Sequence, residues 1–158
     1  MTTMPDASTG SRVLPALTAT NRVYWTSGRD GVWRLQRCPE CARFIHPPAL
    51  RCQFDQAIPE WESLSGRGTV ESWTVNTHPF FPGLPTPYVI AFVNPVEDDR
   101  VRVLTNLVDV EVDRIHVGMP VRVVFERCSD GDTADDTADD TADDADDVVY
   151  LPLFTPEQ

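Results

Sequence analysis

From Gly68 onward the chain alternates apolar and polar positions. GTVESWTVNTH sets Val70, Trp73 and Val75 among polar neighbours, the pattern of a half-buried strand. YVIAFVNPV reads as a buried strand, and VRVLTNLVDVEV continues the sheet after a turn at Glu97–Arg100. IHVGMP makes a further turn, VRVVFERC another strand and VVYLPLF a closing one. Between the first two strands lies HPFFPGLPTP, whose four prolines no helix or central strand accepts. Five to six short strands with turn signals and almost no helix predict a mainly β chain and a small Greek-key barrel.

Upstream the pattern is weaker. Residues 1–20, rich in Thr, Ser, Ala and Pro without a sustained period, read as a disordered arm. Asn21–Gly31 predicts a short helix carrying Val23, Tyr24 and Trp25, which Gly28 ends. Val32, Trp33 and Leu35 then suggest a strand running into Cys38. The expected organisation is an arm at 1–20, a helical segment at 21–34, a cysteine-bearing unit at 35–64 and a barrel at 65–154.

Charge changes this picture at one place. The 158 residues carry 13 Lys+Arg against 25 Asp+Glu, a formal net charge of −12. Ten of those acids are Asp between 130 and 147, where TADD occurs three times over Thr133–Asp144 and no base appears. Without them 15 acids face 13 bases, so the barrel-forming part is near neutral. Self-repelling and unable to bury apolar surface, 130–147 is expected to be a disordered insert between two strands. It lacks the EF-hand spacing, so it is read as a solvated loop rather than a calcium site. Every base is Arg, and none clusters as nucleic-acid binding requires. No apolar run approaches the roughly 18 residues of a membrane span, and the N-terminus shows no secretory pattern. The expected location is the cytoplasm.

Three of four cysteines form a metal-like pattern, Cys38-x₂-Cys41-x₁₀-Cys52-x₂-Asp55. With a cysteine at 55 this would be a zinc ribbon of two knuckles, each presenting two thiolates to a tetrahedral ion. In a cytoplasmic chain such spacing favours metal over a disulfide. The candidate ligands are Cys38, Cys41 and Cys52, with Asp55 or His46 as the fourth. The competing reading is a ribbon that has lost its metal. A thioredoxin-like role for Cys38–Cys41 is weaker, because no helical pattern follows Cys41. Cys128, alone at a strand end, reads as a small apolar residue.

Taken in order, these landmarks carry a resemblance. They are Tyr24-Trp25, Leu35-Gln36-Arg37-Cys38-x-x-Cys41, Pro47-Pro48, Cys52, Trp61 and Ser65-Gly66-Arg67-Gly68-Thr69-Val70. Pro87-Tyr88-Val89, Thr105-Asn106, Gly118-Met119-Pro120-Val121 and Leu151-Pro152 follow. The sequence resembles the domain-of-unknown-function family 35 over about residues 20–154, interrupted by the TADD insert. The resemblance implies an N-terminal helical hairpin, a rubredoxin-like zinc ribbon at 35–64 and a C-terminal OB-fold at 65–154. It also implies an accessory role beside a thiolase-fold, lipid-transfer-protein-like catalytic subunit acting on acyl-CoA thioesters, such as an aldolase of steroid side-chain degradation. Asp55 departs from the family pattern and puts its zinc in question.

The residues themselves agree that no catalytic set is present. His46, His78 and His116 have no nucleophile at triad or elbow spacing, and no phosphate loop occurs. Two functions remain: a non-catalytic partner subunit in a hetero-oligomer, or an OB-fold nucleic-acid binder stacking bases on Trp73, Phe80, Phe81 or Tyr88. Near-neutral charge outside the acidic insert favours the first. Tyr24, Trp25, Phe80 and Phe81 are apolar yet lie outside the barrel strands, which marks them as partner-binding, or else as folded back onto the barrel.

Overall fold

Alternation decides the barrel. In the computed structural model, which describes residues 12–80, 84–128 and 148–157, five strands close on themselves. They are β4 (Arg67–Asn76), β5 (Tyr88–Pro95), β6 (Val103–Leu107), β7 (Pro120–Cys128) and β8 (Val149–Pro156). β5 buries Val89, Ala91, Val93 and Pro95, every second residue. β6 buries Val103, Thr105 and Leu107 in the same way. The barrel order is β4-β5-β6-β8-β7, antiparallel except where Leu107 meets Phe154 in parallel. Pairing of β4 with β7 at Arg67–Thr69 closes it, in the Greek-key order of an OB-fold.

The spacing of Val70, Trp73 and Val75 needs one irregularity. Strict alternation would put Val70 and Trp73 on opposite faces. A register shift between Val70 and Ser72 brings Trp73 opposite Ala91 and Val75 opposite Val89, both inward positions. Trp73 stays 37% exposed at that end.

Ahead of the barrel, β1 (Arg34–Arg37) lies between β2 (Phe44–Ile45) and β3 (Glu60–Ser63) in an antiparallel sheet. This sheet shares the barrel's core. Trp33 meets Phe154 edge to face at 5.1 Å between centroids, and the Leu64 N–H donates to the Trp33 carbonyl at 2.8 Å. Tyr24, Trp33, Leu35 and Leu64 join Val70, Val93, Val103 and Phe154 in one continuous cluster.

Two local expectations are corrected. Helix α1 (Arg22–Thr26) passes into a 3₁₀ turn over Ser27–Asp30 and ends at Gly31, whose φ of 68° is left-handed. Gly28 lies inside that turn, where a Cβ would stand 2.5 Å from Cδ1 of Phe125 and also strike Tyr150, so it docks the turn on β7 and β8. VRVLTNLVDVEV is shorter as a strand than expected. β6 ends at Leu107, Asp109 takes φ 51°, and a 3₁₀ turn follows at Val112–Arg114.

Of the 1–20 arm, residues 1–11 lie outside the described residues, as do the whole 130–147 insert and Phe81. Within 12–20, Arg12 Nε donates to Glu126 Oε1 at 2.6 Å and its Nη1 to Asn106 Oδ1 at 3.2 Å. Among the described residues no helix is long and apolar enough to cross a membrane.

Candidate functional site

Two turns of like construction carry the cysteine pattern. In the first, the Cys38 N–H donates to the Arg43 carbonyl at 2.9 Å and the Ala42 N–H to the Cys38 carbonyl at 3.0 Å. In the second, the Cys52 N–H donates to the Ala57 carbonyl at 2.9 Å and the Gln56 N–H to the Cys52 carbonyl at 3.0 Å. Ala42 and Gln56 take left-handed φ of 57° and 64°. Asp55 therefore occupies in the second knuckle the corner that Cys41 occupies in the first.

The knuckles bring their side chains together. One donor atom from each of Cys38, Cys41, Cys52 and Asp55 lies within 4.8 Å of the other three. Cys41 Sγ stands 3.7 Å from Cys52 Sγ, and Cys38 Sγ is 3.3 and 3.2 Å from Asp55 Oδ1 and Oδ2. Sulfur and oxygen corners of a zinc-sized tetrahedron would stand ~3.5–3.8 Å apart. The donor set thus fits a metal ion in number, type and spacing.

Burial pushes the Cys38 thiol up to about 11. The Phe54 backbone N–H draws the Cys52 thiol down, and the Ala57 N–H, 3.0 Å from Oδ1, holds the Asp55 carboxyl below its ordinary value. A metal takes up the thiolate form, so a cation held at this cluster would displace a thiol proton from Cys38.

His46, the other candidate for the fourth ligand, is not in this group. It packs against Tyr24 at 4.9 Å between ring centroids, and its buried Nδ1 has no partner among the described residues. Burial lowers its pKa to about 4, so the ring is neutral at pH 7. Asp55 is the fourth member of the group because backbone spacing delivers it to the corner, whereas His46, just past β2, lies against the helix.

The β5–β6 turn braces this unit against the barrel. Glu97 Oε1 accepts the Ser65 N–H at 2.7 Å, and Asp98 Oδ2 accepts the Phe44 N–H at 3.5 Å. Arg100 clamps Asp98 at 2.7 and 2.9 Å, and this hydrogen bonding lowers the Asp98 pKa.

The four aromatic candidates separate. Tyr24 is only 2% exposed and belongs to the core, so its ring cannot meet a partner while the chain is folded. Trp25 is half-buried beside it, with centroids 4.7 Å apart. Phe80 is 66% exposed, edge-on to His78, and Phe81 lies outside the described residues. The sequence placed all four outside the strands but could not show that a five-residue helix turns Tyr24 inward.

His46 and His78 face aromatic rings, and His116 Nδ1 lies 2.9 Å from the Arg114 carbonyl.

Comparison with known proteins places this architecture. A cysteine ribbon built onto an OB-fold barrel defines its class, and residues 61–126 match the family model described as the C-terminal OB-fold domain of ChsH2. A solved structure described as an Ltp2-ChsH2(DUF35) aldolase contains a chain 28% identical to this one. The TM-score is 0.68, over 90% of this chain and 98% of that one. This end-to-end likeness to a DUF35 chain, with the family match over the barrel, agrees with the resemblance that the landmarks carry. A DUF35 protein of unknown function from Sulfolobus solfataricus shares the fold, with TM-score 0.52 and 15% identity over 67% of this chain and 78% of that one.

Two curated relatives are hydratase subunits. The probable enoyl-CoA hydratase alpha subunit of Thermomonospora curvata is 34% identical over 112 residues, 70% of this chain and 34% of that protein. The 3-oxo-4,17-pregnadiene-20-carboxyl-CoA hydratase alpha subunit of Mycobacterium tuberculosis is 31% identical over 121 residues, 76% of this chain and 38% of that protein. The chain thus spans between 34% and 38% of the length of these relatives.

Proposed function

We propose that the chain is a non-catalytic partner subunit of a thiolase-fold, lipid-transfer-protein-like enzyme acting on acyl-CoA thioesters in the cytoplasm. The reaction of the complex is retro-aldol cleavage of a steroid side chain. The observation that carries this reading is the end-to-end likeness to the DUF35 chain of an Ltp2-ChsH2 aldolase, 98% of which is covered. The names of both curated relatives point to CoA thioesters, and one of them to a steroid acyl-CoA.

In this reading the catalytic acid and base belong to the partner. This chain orders the partner's loops, and losing it displaces groups whose alignment carries much of the rate. Phe80 and Trp25, with Phe81, contribute to the contact. The cysteine cluster binds zinc through Cys38, Cys41, Cys52 and Asp55, which ties the two knuckles together. A nucleic-acid role is disfavoured because the sequence outside 130–147 carries 15 acids against 13 bases.

Co-expression with a thiolase-fold subunit, followed by co-purification and assay of each component alone and together, tests the proposal. A stable complex active only when both are present supports it. Full activity of the catalytic subunit alone overturns it.

A further inference from the structure

The four corners of the cysteine cluster are not equally buried. Cys38 and Cys52 are 1% and 0% exposed, Cys41 is half-buried, and Asp55 is exposed. Structural zinc sites are closed by thiolates and imidazoles, whereas sites that accept further ligands keep a position open. Here the corner most open to water is also the one occupied by oxygen. A carboxylate is a harder donor than a thiolate and matches a thiolate-rich cation less well.

Backbone geometry does not require a carboxylate there. The second knuckle repeats the hydrogen bonds and left-handed residue of the first, where the same corner holds Cys41. Asp55 also has somewhere to go. Its Oδ1 keeps the Ala57 N–H at 3.0 Å whether or not Oδ2 binds a cation, and water reaches the side chain. A thiolate released at Cys38 or Cys52 would instead be left charged in a buried site.

We infer that Asp55 is the exchangeable corner of the metal cluster. Cys38, Cys41 and Cys52 hold a divalent cation, and the Asp55 carboxylate yields its position to a small exogenous thiol. In the exchange the thiol gives its proton to buffer, its sulfur takes the vacated position, and no electron is transferred. This inference rests on the proposed uptake of a divalent metal by the cluster.

Cobalt(II) loaded into the full chain reports both points. Uptake gives tetrahedral ligand-field bands and a thiolate charge-transfer band; absence of both overturns the metal reading and this inference with it. With cobalt bound, 2-mercaptoethanol is expected to raise the charge-transfer band by about a third, as three thiolates become four. Asp55→Ala is expected to respond at lower thiol concentration. Asp55→Cys is expected to show the four-thiolate spectrum from the start, to ignore added thiol, and to lose metal to a chelator roughly tenfold more slowly. Asp55→Asn keeps the shape of the side chain and serves if Asp55→Ala misfolds. Cobalt bound with a spectrum that thiol leaves unchanged, in the wild type and in either of these two variants, overturns the exchangeable corner while leaving the metal site standing.

Discussion

Ala42 and Gln56 hold the same left-handed backbone conformation, at φ 57° and 64°, each following the last metal-type residue of its knuckle. Neither is glycine, so each side chain crowds its own backbone at a cost of roughly 1–2 kcal/mol. Ala42→Gly is expected to raise the melting temperature, corresponding to a gain of about 1 kcal/mol. Gln56→Gly should gain less, because Gln56 Nε2 donates to the Cys52 carbonyl at 3.2 Å and that bond is lost. Differential scanning calorimetry of both variants checks the order, and a larger gain at position 56 would contradict it.

Acid should loosen the helix–ribbon junction through His46. Its folded pKa is near 4, below the ordinary 6.5, so its contribution is complete above pH 6.5 and is lost as pH falls toward 4. The shift corresponds to roughly 3 kcal/mol at most. His46→Phe removes the titration, and urea unfolding at pH 7, 5.5 and 4.5 should show the wild type losing ground to the variant. A stability difference constant over that range would mean that the ring titrates normally.

Gly28 sets how closely the N-terminal turn approaches the barrel. Because a Cβ there would meet Phe125 and Tyr150, Gly28→Ala is expected to destabilise by roughly 1–3 kcal/mol, as overpacking does. Gly31→Ala places a Cβ in open space, so its cost comes only from the left-handed backbone. Equal destabilisation that follows backbone conformation alone would remove the packing argument.

The barrel was legible because burial on one face leaves a period of two, as in Val89, Ala91 and Val93. Asp55 was legible as the fourth member of the side-chain group from its spacing after Cys52, since a knuckle fixes which residue reaches the corner. His46 was the substitute the sequence offered for Asp55, and the path of β2 separates it from the cluster. Tyr24 was not legible as core. A helix of five residues is too short to show a periodic face, and Tyr24 is core only through tertiary packing in the cluster with Trp33 and Phe154. The end of β6 was hidden as well, because Asp109 interrupts an apolar alternation that otherwise continues to Val112.

Burial separates the aromatic candidates into two experimental classes. Tyr24 lies at 2% exposure within the continuous core, so Tyr24→Ala is expected to cost roughly 3–5 kcal/mol and to lower the melting temperature of the isolated chain. Phe80 is 66% exposed, so Phe80→Asp is expected to leave that temperature within a degree or two, since exposed substitutions shift stability by only about 0.5 kcal/mol. If Phe80 sits in the proposed contact, the same variant should weaken binding to the thiolase-fold subunit by roughly tenfold or more, the loss of a desolvated aromatic anchor. Calorimetric titration of the catalytic subunit with each variant reads affinity separately from folding. Wild-type affinity for Phe80→Asp would move the interface elsewhere, and a collapsed melting temperature would show that Phe80 packs on the barrel.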